Sequence, residues 1–379
     1  MNAKELIVVH GLDIAAMART AAEAARLETM IPAGTTVSFK PNLVVAKAAS
    51  SGAVTHPELI EGLVSYLRGK GFSSFEIIEG SWVGDSTPRA FEAAGYLDLS
   101  ARLGIPLVDL QRDTWKHYDA GGGMKIALCD RAAAARFLVN LPVLKGHCQT
   151  TLTCALKNLK GCIPDDEKSR FHSLGLHEPI ARLNCLLKPG FILVDAVCGD
   201  LDFEEGGNPV PMNRLIAGRD PVLVDAYACR LIGHATEDVP YIGLAQDYGV
   251  GSADLATAHI MELGDTAAAP AVPPRSGRLA ALAARAEEAQ ACSACYAALI
   301  HGLARLEERD LLKRLDAALA KHGDKHGEKR IAVGRGFRGI TRGGLGCGNC
   351  VSGANAFVPG CPPDGAAVTA FLEKIAAGR

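Results

Sequence analysis

The stretch THPELIEGLVSYLRGKGFSSFEIIEG, residues 55–80, contains the pattern that decides the fold. Its first part has apolar residues at helical spacing, and Thr55 and Gly71 are typical of a helix cap and a helix end. The run FEIIEG that follows is short, apolar and rich in β-formers. A helix that leads directly into such a strand is typical of an α/β unit.

The same alternation extends on both sides of this stretch. Upstream lie a strand ELIVVHG, a helix AAMARTAAEAARLETM and a strand TVSFKPN. Downstream, a helix follows Thr87 and Pro88 and leads into the strand IPLVDL. Further strands are predicted in ARFLVNLP, in GFILVDAV, and as a pair in LIAGRDPVLVDAYACRLIG. This order predicts an α/β fold with a mostly parallel sheet and helices on both faces.

A proline-rich segment, DTAAAPAVPPRSGR, divides the chain and shows no apolar period. We therefore predict an α/β domain at 1–264, a linker at 265–278, and a smaller α/β domain at 279–379. The last is expected to open with one long helical pattern from AALAARAEEAQ to DAALAKHG. A break at HGDKHGEK, a strand IAVGRGF and glycine-rich loops are expected to follow.

The composition is that of an ordinary globular protein. Of 379 residues, 48% are hydrophobic and 22% charged, and 40 Lys and Arg against 42 Asp and Glu leave a net charge of -2. That charge gives no field to attract nucleic acid or an acidic membrane, so neither is expected as a partner. No secretory signal and no apolar stretch of ~20 residues is evident. We therefore expect a cytoplasmic protein whose 12 cysteines are reduced.

Polar side chains follow several predicted strands of the first domain, where parallel sheets bind ligands. The segment TTLTCALKNLKG, residues 150–161, is predicted as a helix that adds further cations. Such a group suits a small anionic ligand, although surface lysines and a structural histidine are the alternatives. The candidate binding residues are Lys40, Asn42, Lys157 and Asn158, and the candidate catalytic residues are Lys145, His147 and Asp195.

The segment FILVDAVCGDLDFEEGG places Asp195, Asp200, Asp202, Glu204 and Glu205 after a predicted strand. It lacks the glycine at the sixth position of a calcium loop, so a polar turn is preferred to a cation site. Asp195, at the strand end, remains a candidate catalytic or hydrogen-bonding carboxylate. Asp220 and Asp225 are either site residues or caps of a neighbouring helix. The nearby cysteines expected to be buried free thiols are Cys148, Cys154 and Cys162.

Five cysteines crowd the C-terminal region, in CSAC at 292–295, GCGNC at 346–350 and PGCPP at 359–363. A CxxC pair lets two thiolates reach one metal centre, and the flanking glycines let backbone amides approach sulfur. A [4Fe-4S] cluster takes four thiolates, so one of the five is spare. Zinc held by two CxxC pairs is the alternative, but it would leave Cys361 without a role.

The GCPP segment resembles the loop that binds the proximal cluster in hydrogenase small subunits and in the related small subunit of respiratory complex I. That resemblance implies four ligands, namely Cys292, Cys295, either Cys347 or Cys350, and Cys361. It covers only the cysteine segments, because the rest of the chain does not follow that fold's sequence order.

A second resemblance covers nearly the whole chain and rests on motifs in a distinctive order: FKPN at 39–42, THPELIEGLVSYLR at 55–68, LPVLKGH at 141–147, LTCALKNLKGCIP at 152–164 and GRDPVLVDAYA at 218–228. Followed by the cysteines, these motifs resemble the domain of unknown function 362 family of iron–sulfur-centre proteins. The resemblance implies a redox-active iron–sulfur protein. Many relatives carry ferredoxin-like modules with denser cysteine runs, and the sparser CxxC, GNC and GCPP set of this chain favours one cluster in an iron–sulfur domain at 279–379. The family's GNC segment implies Cys350 rather than Cys347, which makes the expected ligands Cys292, Cys295, Cys350 and Cys361.

The first functional hypothesis is an iron–sulfur oxidoreductase that passes single electrons to a small anionic substrate or cofactor in the α/β cleft. Its expected partner is an electron-donor protein such as a ferredoxin, and a homodimer is compatible with it. The second hypothesis is a non-catalytic electron carrier or cluster-delivery protein that docks on a partner enzyme. A structural cluster beside acid–base chemistry is a third. The string GRGFRG at 334–339 lacks a following helix, so no dinucleotide cofactor is predicted.

Overall fold

The computed structural model describes residues 1–272, 277–322 and 330–378. The chain divides into two compact units, Met1–Phe171 with Leu176–Pro274 and His172–Gly175 with Arg275–Arg379. Apart from His322, the expected helix break at HGDKHGEK lies outside the described residues. Within the described ranges, no helix has both the length and the apolar character needed to cross a membrane.

Strands and helices alternate along the first unit. Its strands are β1 (Glu5–His10), β2 (Val37–Pro41), β3 (Phe75–Glu79), β4 (Leu107–Asp109), β5 (Trp115–Asp119), β6 (Lys125–Cys129), β7 (Phe137–Leu141), β8 (Lys145–His147), β9 (Thr151–Thr153), β10 (Phe191–Asp200), β11 (Pro209–Gly218) and β12 (His259–Gly264). Its helices are α1 (Ile14–Ala25), α2 (Glu58–Gly69), α3 (Thr87–Ala93), α4 (Tyr96–Leu103), α5 (Asp130–Ala133), α6 (Ala155–Asn158), α7 (Asp165–Leu174), α8 (His177–Leu186), α9 (Pro221–Leu231) and α10 (Pro240–Asp247).

Eight of these strands form one sheet in the order β12-β1-β11-β10-β7-β2-β3-β4. Only β11 runs antiparallel to its neighbours in this sheet, and the remaining pairs are parallel. The pairs β5-β6 and β8-β9 form separate antiparallel ribbons. The prediction of a mostly parallel α/β sheet is therefore confirmed.

Apolar side chains cover both faces of the sheet. Because side chains alternate along a strand, Ile7 and Val9 of β1 pack in one apolar cluster and Leu6 and Val8 in another. The first cluster includes buried residues of α1 to α4, and the second includes residues of α6 and of α8 to α10. Helices thus lie on both faces, as predicted.

Two local predictions were wrong in this unit. Thr55 does not cap α2, which begins at Glu58, because its hydroxyl instead donates to the Leu141 carbonyl at 2.7 Å. The second strand of the pair predicted in 215–233 is the helix α9, which Asp220 caps by accepting from the amides of Val222 and Leu223. A short apolar run does not distinguish a strand from a buried helix, whereas an Asp-Pro start favours the helix.

The start of the helix predicted at 150–161 is also wrong. Residues 151–153 form β9, which pairs with β8, and Thr151 has a positive φ of 65°. Helix α6 starts only at Ala155, because the carboxylate of Asp225 accepts from the Ala155 and Leu156 amides at 2.7 and 3.1 Å. Asp225 therefore starts this short helix and fixes where Lys157 points.

The second unit contains α11 (Arg278–Ala283), β13 (Ala286–Glu288), α12 (Ser293–Glu308), α13 (Leu312–His322), β14 (Ile331–Val333), β15 (Leu345–Cys347), β16 (Ala356–Val358) and α14 (Gly365–Ala376). Its four strands form a parallel sheet in chain order. The prediction of one long helical pattern at the start of this unit is wrong, because residues 286–288 pair with β14 instead of continuing α11. Strand pairing here outweighs the helical preference of Ala and Glu.

Candidate functional site

The carboxyl ends of neighbouring parallel strands bring the predicted polar residues of the first unit together. Lys40 lies near the end of β2 and is in register with Asn140 of β7, and Glu79 ends β3. Lys40 and Asn140 are 0% exposed and Glu79 is 2% exposed. Because a buried charge is costly without a hydrogen-bonded partner, the partners of each cation decide what this edge can bind.

Lys40 is paired with Glu79. Its ammonium lies 3.0 and 2.9 Å from the two carboxylate oxygens and also donates to the Pro41 carbonyl at 2.9 Å. The Glu79 carboxylate additionally accepts from the amides of Leu43 and Gly80. The charge of Lys40 is therefore balanced inside the protein.

Lys145 has a different set of partners. Its ammonium donates to Asn42 Oδ1 at 3.0 Å and to the backbone carbonyls of Ala53 and Glu204 at 2.6 and 2.9 Å. All three acceptors are neutral oxygens. Burial lowers the pKa of Lys145 to about 8, and the nearby charge of Glu204 opposes that shift.

A chain of amides continues from Asn42. Its Nδ2 donates to Asn158 Oδ1 at 2.9 Å, and Asn158 Nδ2 donates to Asn140 Oδ1 at 2.7 Å. Asn140 in turn donates to the Ala155 carbonyl at 2.9 Å. Helix α6 is thereby tied to the ends of β2 and β7.

Glu204 joins the remaining predicted residues. Lys157 Nζ pairs with Glu204 Oε1, and His147 Nε2 lies 3.0 Å from Glu204 Oε2. The Gln149 and Thr150 amides donate to His147 Nδ1, so Nε2 carries the proton and donates to the carboxylate. Burial and the charge of Lys157 lower the pKa of His147 to about 4. Burial opposes ionisation of Glu204, but Lys157 and His147 hold its pKa well below the ordinary value.

These side chains are called the buried polar network: Lys40, Asn42, Glu79, Asn140, Lys145, His147, Lys157, Asn158 and Glu204. The network contains all the predicted binding and catalytic residues except Asp195. The sequence signal for Glu204 was weak, because it lies in a polar turn distant along the chain from Lys157. The predicted buried thiols Cys154 and Cys162 are buried, and the residue Cys148 is partly exposed.

Asp195 pairs with His56 instead. Its Oδ2 accepts from His56 Nδ1 at 2.8 Å and from the His56 amide at 2.7 Å, while Oδ1 accepts from the Val197 amide at 3.1 Å. Burial lowers the pKa of His56, but the charge and the hydrogen bond of Asp195, with a smaller contribution from Cys198, together raise it to about 11. Sequence analysis missed His56, whose only signal was its place in the THP motif before α2.

The five cysteines of the second unit form a group that is called the cysteine cluster: Cys292, Cys295, Cys347, Cys350 and Cys361. Cys292 precedes α12 and Cys295 lies in its first turn, while Cys347 ends β15. Burial, followed by the nearby thiols of the other four, raises the pKa of Cys295 to about 12. The five thiols that the spacing singled out therefore lie near one another, and the choice of four ligands among them stays a prediction.

Hydrogen bonds join the two loops that carry Cys350 and Cys361. The Asn349 amide donates to the Gly360 carbonyl at 2.9 Å, and the Gly360 amide donates to Asn349 Oδ1 at 2.8 Å. Gly348 has a φ of 92°, and a Cβ there would lie 3.5 Å from Cys295 Sγ. The GNC sequence thus supplies both the backbone conformation and the link to the GCPP loop.

Two arginines donate to sulfur in this cluster. Arg335 Nη2 lies 3.3 Å from Cys292 Sγ, and Arg338 Nε lies 3.3 Å from Cys350 Sγ. Both arginines belong to the GRGFRG segment, whose glycines alone were considered in the sequence. The sulfur of Cys347, by contrast, is buried and lies 3.9 Å from the Cys295 carbonyl.

The family described as "Domain of unknown function (DUF362)" matches residues 37–230, just over half of the chain. The chain therefore belongs to this family. The match includes the buried polar network and the His56–Asp195 pair, whereas the cysteine cluster lies outside it.

A thylakoid-associated protein of Synechocystis sp. is 32% identical over 146 residues, which is 37% of this chain and 42% of that protein. The match thus spans less than half of the curated relative. The lactate racemase apoprotein of Thermoanaerobacterium thermosaccharolyticum superposes with a TM-score of 0.41 at 14% identity, over 60% of this chain and 57% of that one. A Thermotoga maritima protein superposes with a TM-score of 0.37 at 13% identity, over 63% and 60%.

The Lys157–Glu204 pair leads to a prediction about stability. Lys157→Met should lower the free energy of unfolding by about 3–5 kcal/mol, because it leaves the buried Glu204 carboxylate without its cation. The double variant Lys157→Met with Glu204→Gln should recover much of that loss. Urea denaturation measures both, with the exposed Lys188→Met as control, for which a change within about 0.5 kcal/mol is expected. Equal losses in the single and double variants would contradict the pairing.

The His56–Asp195 pair leads to a prediction about pH. A pKa raised from 6.5 to about 11 gives a stabilisation that is complete below about pH 6.5 and is lost as the pH rises toward 11. The free energy of unfolding of the wild type, measured by urea denaturation, should therefore exceed that of Asp195→Asn at about pH 6, and the difference should disappear by about pH 10. His259 is exposed, so the free energy of unfolding of the control variant His259→Asn should change with pH in the same way as that of the wild type. A constant difference between wild type and Asp195→Asn would argue against the ion pair.

Proposed function

We propose that this protein is an iron–sulfur redox protein in which Cys292, Cys295, Cys350 and Cys361 hold one [4Fe-4S] cluster. The observation that carries the proposal is the convergence of four further thiols around Cys295 in the second unit. When bound, the cluster exchanges single electrons. We further propose that the first unit binds the small anionic molecule that receives them.

The arginines support the choice of ligands. A cationic N–H donor stabilises a thiolate, which is the form that binds iron, and hydrogen bonds to sulfur help to set the potential of a cluster. Cys292 and Cys350 accept such donors from Arg335 and Arg338. The buried sulfur of Cys347 instead lies 3.9 Å from the Cys295 carbonyl, which supports its assignment as the spare thiol.

The number of thiols favours the [4Fe-4S] cluster over zinc. A zinc site made of two CxxC pairs would leave Cys361 without a role, whereas a cubane takes Cys361 as one of its four ligands. Among the described residues, no three His, Cys, Asp or Glu side chains are arranged to hold a single ion.

Lys145 and Glu205 support an anionic ligand in the first unit. The three acceptors of the Lys145 ammonium are neutral oxygens, so no carboxylate is hydrogen-bonded to it. Burial and the charge of Glu204 raise the pKa of Glu205 to about 7, and its Oε2 is buried without a hydrogen-bond partner. Below about pH 7 a protonated Glu205 would be a donor to a carboxylate or phosphate.

The pairing of the other cations favours a second candidate function. Lys40 is balanced by Glu79 and Lys157 by Glu204, so neither ammonium attracts an anion strongly. On this view the protein is a non-catalytic electron carrier or cluster-delivery protein that docks on a partner enzyme. Its electron donor would be a protein such as a ferredoxin in either case.

Protein purified without oxygen should contain about four iron and about four acid-labile sulfide per chain, and it should give a cluster signal in electron paramagnetic resonance. Serine substitution of Cys292, Cys295, Cys350 or Cys361 should remove or change that signal, because each removes a ligand. Cys347→Ser should retain it, as should the control Cys185→Ser in the first unit. Stoichiometric zinc without sulfide would overturn the proposal, and the opposite result for Cys347 and Cys350 would exchange their roles.

Binding of simple anions separates the two functions. Inorganic phosphate or acetate should raise the melting temperature of the cluster-loaded protein, and Lys145→Met should abolish that rise while iron content stays unchanged. The exposed Lys70→Met is the matched control and should respond like the wild type. If neither anion affects the wild type, and reduced ferredoxin still reduces both variants at the same rate, the carrier function replaces the oxidoreductase.

A further inference from the structure

The side of the cysteine cluster that carries Cys361 reaches the protein surface. Of the 12 cysteines of the chain, only Cys361 is exposed, and Cys350 is partly exposed. Cys295 and Cys347 are buried. Electron transfer becomes slower as donor and acceptor move apart, so a partner protein that exchanges electrons with a group bound here has its shortest approach on this side.

Three loops form this surface, which is called the Cys361 face: residues 338–342, 349–353 and 359–362. Hydrogen bonds between Asn349 and Gly360 join the second loop to the third. The Arg338 side chain joins the first loop to the second, because its Nε donates to Cys350 Sγ at 3.3 Å. The three loops are therefore held together around the exposed cysteine.

A glycine fixes the first loop against the second. The Arg342 amide donates to the Gly353 carbonyl at 2.9 Å. A Cβ on Gly353 would lie 2.1 Å from the Ile340 carbonyl oxygen, so this packing requires glycine. Residues 338–341 are exposed, and Ile340 is 49% exposed. The loop thus presents its side chains to solvent beside the cysteines.

The charged side chains of these loops are cationic. Residues 334–363 contain Arg335, Arg338 and Arg342 and no Asp, Glu, Lys or His. Arg342 is neutralised by Glu287, whose Oε2 lies 2.6 Å from Nη2. Arg335 and Arg338 donate to sulfur, and in the described part of the chain neither forms an ion pair with a carboxylate. Because Arg338 is exposed, it presents a positive charge at the Cys361 face.

Two acidic residues border the face. The Asp364 carboxylate caps α14 and accepts from the Ala367 amide at 3.0 Å, where the positive end of the helix dipole offsets its charge. The Glu288 carboxylate accepts from the Ala291 amide at 2.7 Å. Both carboxylates are thus held at backbone amides outside the three loops.

An apolar side chain accompanies the exposed cation. Ile340 follows Arg338 by two residues and is one of the few large apolar side chains at the surface of the chain. Protein interfaces combine an apolar centre with a polar rim, and arginine is enriched in them. Interfaces between electron-transfer proteins are small, below about 1,200 Å² in total, and complementary charge speeds their formation. A short loop with one cation and one apolar side chain beside an exposed cysteine suits such an interface.

We propose that the Cys361 face is the docking surface for an acidic one-electron carrier protein of the ferredoxin type, which Arg338 attracts and Ile340 contacts. The inference rests on the proposed redox function and adds to it the surface and the charge of the partner. In the exchange, the reduced carrier loses one electron and the oxidised cluster gains it.

The charge of this face favours an acidic partner over the alternatives. Thiolates of a bound cluster are negative, and Arg335 and Arg338 offset that charge where a carrier approaches. A basic carrier would meet the exposed Arg338 as a like charge, which is costly at an interface. A second copy of this chain is a poorer match, because its net charge is only -2.

Titration calorimetry of the cluster-loaded full-length protein with an acidic plant-type [2Fe-2S] ferredoxin tests the surface. Both proteins are kept oxidised, so the measurement reports binding without electron transfer. The wild type should bind, and its affinity should fall as salt is raised from about 0.01 to about 0.1 M, because the Debye length shrinks from about 30 to about 10 Å.

Two variants of Ile340 locate the binding site, because both remove the apolar side chain and they differ in the sign of the charge that replaces it. Neither variant changes a side chain that donates to sulfur. At about 0.01 M salt, Ile340→Lys should bind the ferredoxin at least about tenfold more tightly than Ile340→Glu. The control Ala317→Glu adds the same negative charge at an exposed position of α13 and should bind like the wild type.

Reduction of the cluster separates this inference from the proposed function. Reduced ferredoxin should reduce the two Ile340 variants at rates that follow their affinities, whereas dithionite should reduce the cluster fully in every variant. Equal affinities of Ile340→Lys and Ile340→Glu, or equally weak binding by Ala317→Glu, would overturn the docking surface. Absence of iron and sulfide would overturn the proposed function together with it. A full cluster that dithionite reduces, in a protein that does not bind the ferredoxin, would overturn the docking surface alone.

Discussion

The burial of the Glu204 carboxylate is the constraint on which the polar edge of the sheet depends. A carboxylate that is 9% exposed loses most of its hydration, and only charged and hydrogen-bonded partners compensate for that loss. Lys157 supplies the charge and His147 a hydrogen bond, while the Glu204 backbone carbonyl accepts from Lys145. Three side chains from β8 and α6 therefore meet at one residue, and the short β8-β9 ribbon and the late start of α6 hold them there.

Much of the first unit could be predicted from the sequence, because buried strands and amphipathic helices carry distinct apolar periods. The errors fall where tertiary contacts override that period. The segment 150–161 has helical apolar spacing, yet Thr151 adopts a positive φ and Asp225 starts the helix at Ala155 from another part of the chain. Nothing in the sequence of that segment indicates that Asp225 lies beside it in the fold. The strand wrongly predicted in 221–231 is a different kind of error. The Asp220-Pro221 pair, which is typical of a helix start, was present in the sequence, but the apolar run after it was interpreted as a strand.

The candidate site, too, could be predicted from the sequence only in part. The rule that ligands bind at the carboxyl ends of parallel strands correctly grouped Lys40, Lys145 and Lys157. The sequence did not reveal which carboxylates would neutralise them, because Glu79 and Glu204 are distant along the chain from their partners. In the second unit, cysteine spacing identified the thiols, but the arginines were missed because GRGFRG was interpreted through its glycines. The spacing of residues along the chain thus identified side chains that come together in the fold. It did not identify the carboxylates and arginines that determine the charge of those side chains.

The cysteines illustrate how the neighbours of a thiol determine its chemistry. Cys154 is enclosed by apolar side chains, and burial followed by the charge of Asp225 raises its pKa well above the ordinary range, which makes it inert. Cys292 and Cys350 each face an arginine, which favours the thiolate form. The burial or the charge beside the sulfur thus decides whether the thiol or the thiolate is favoured at each position.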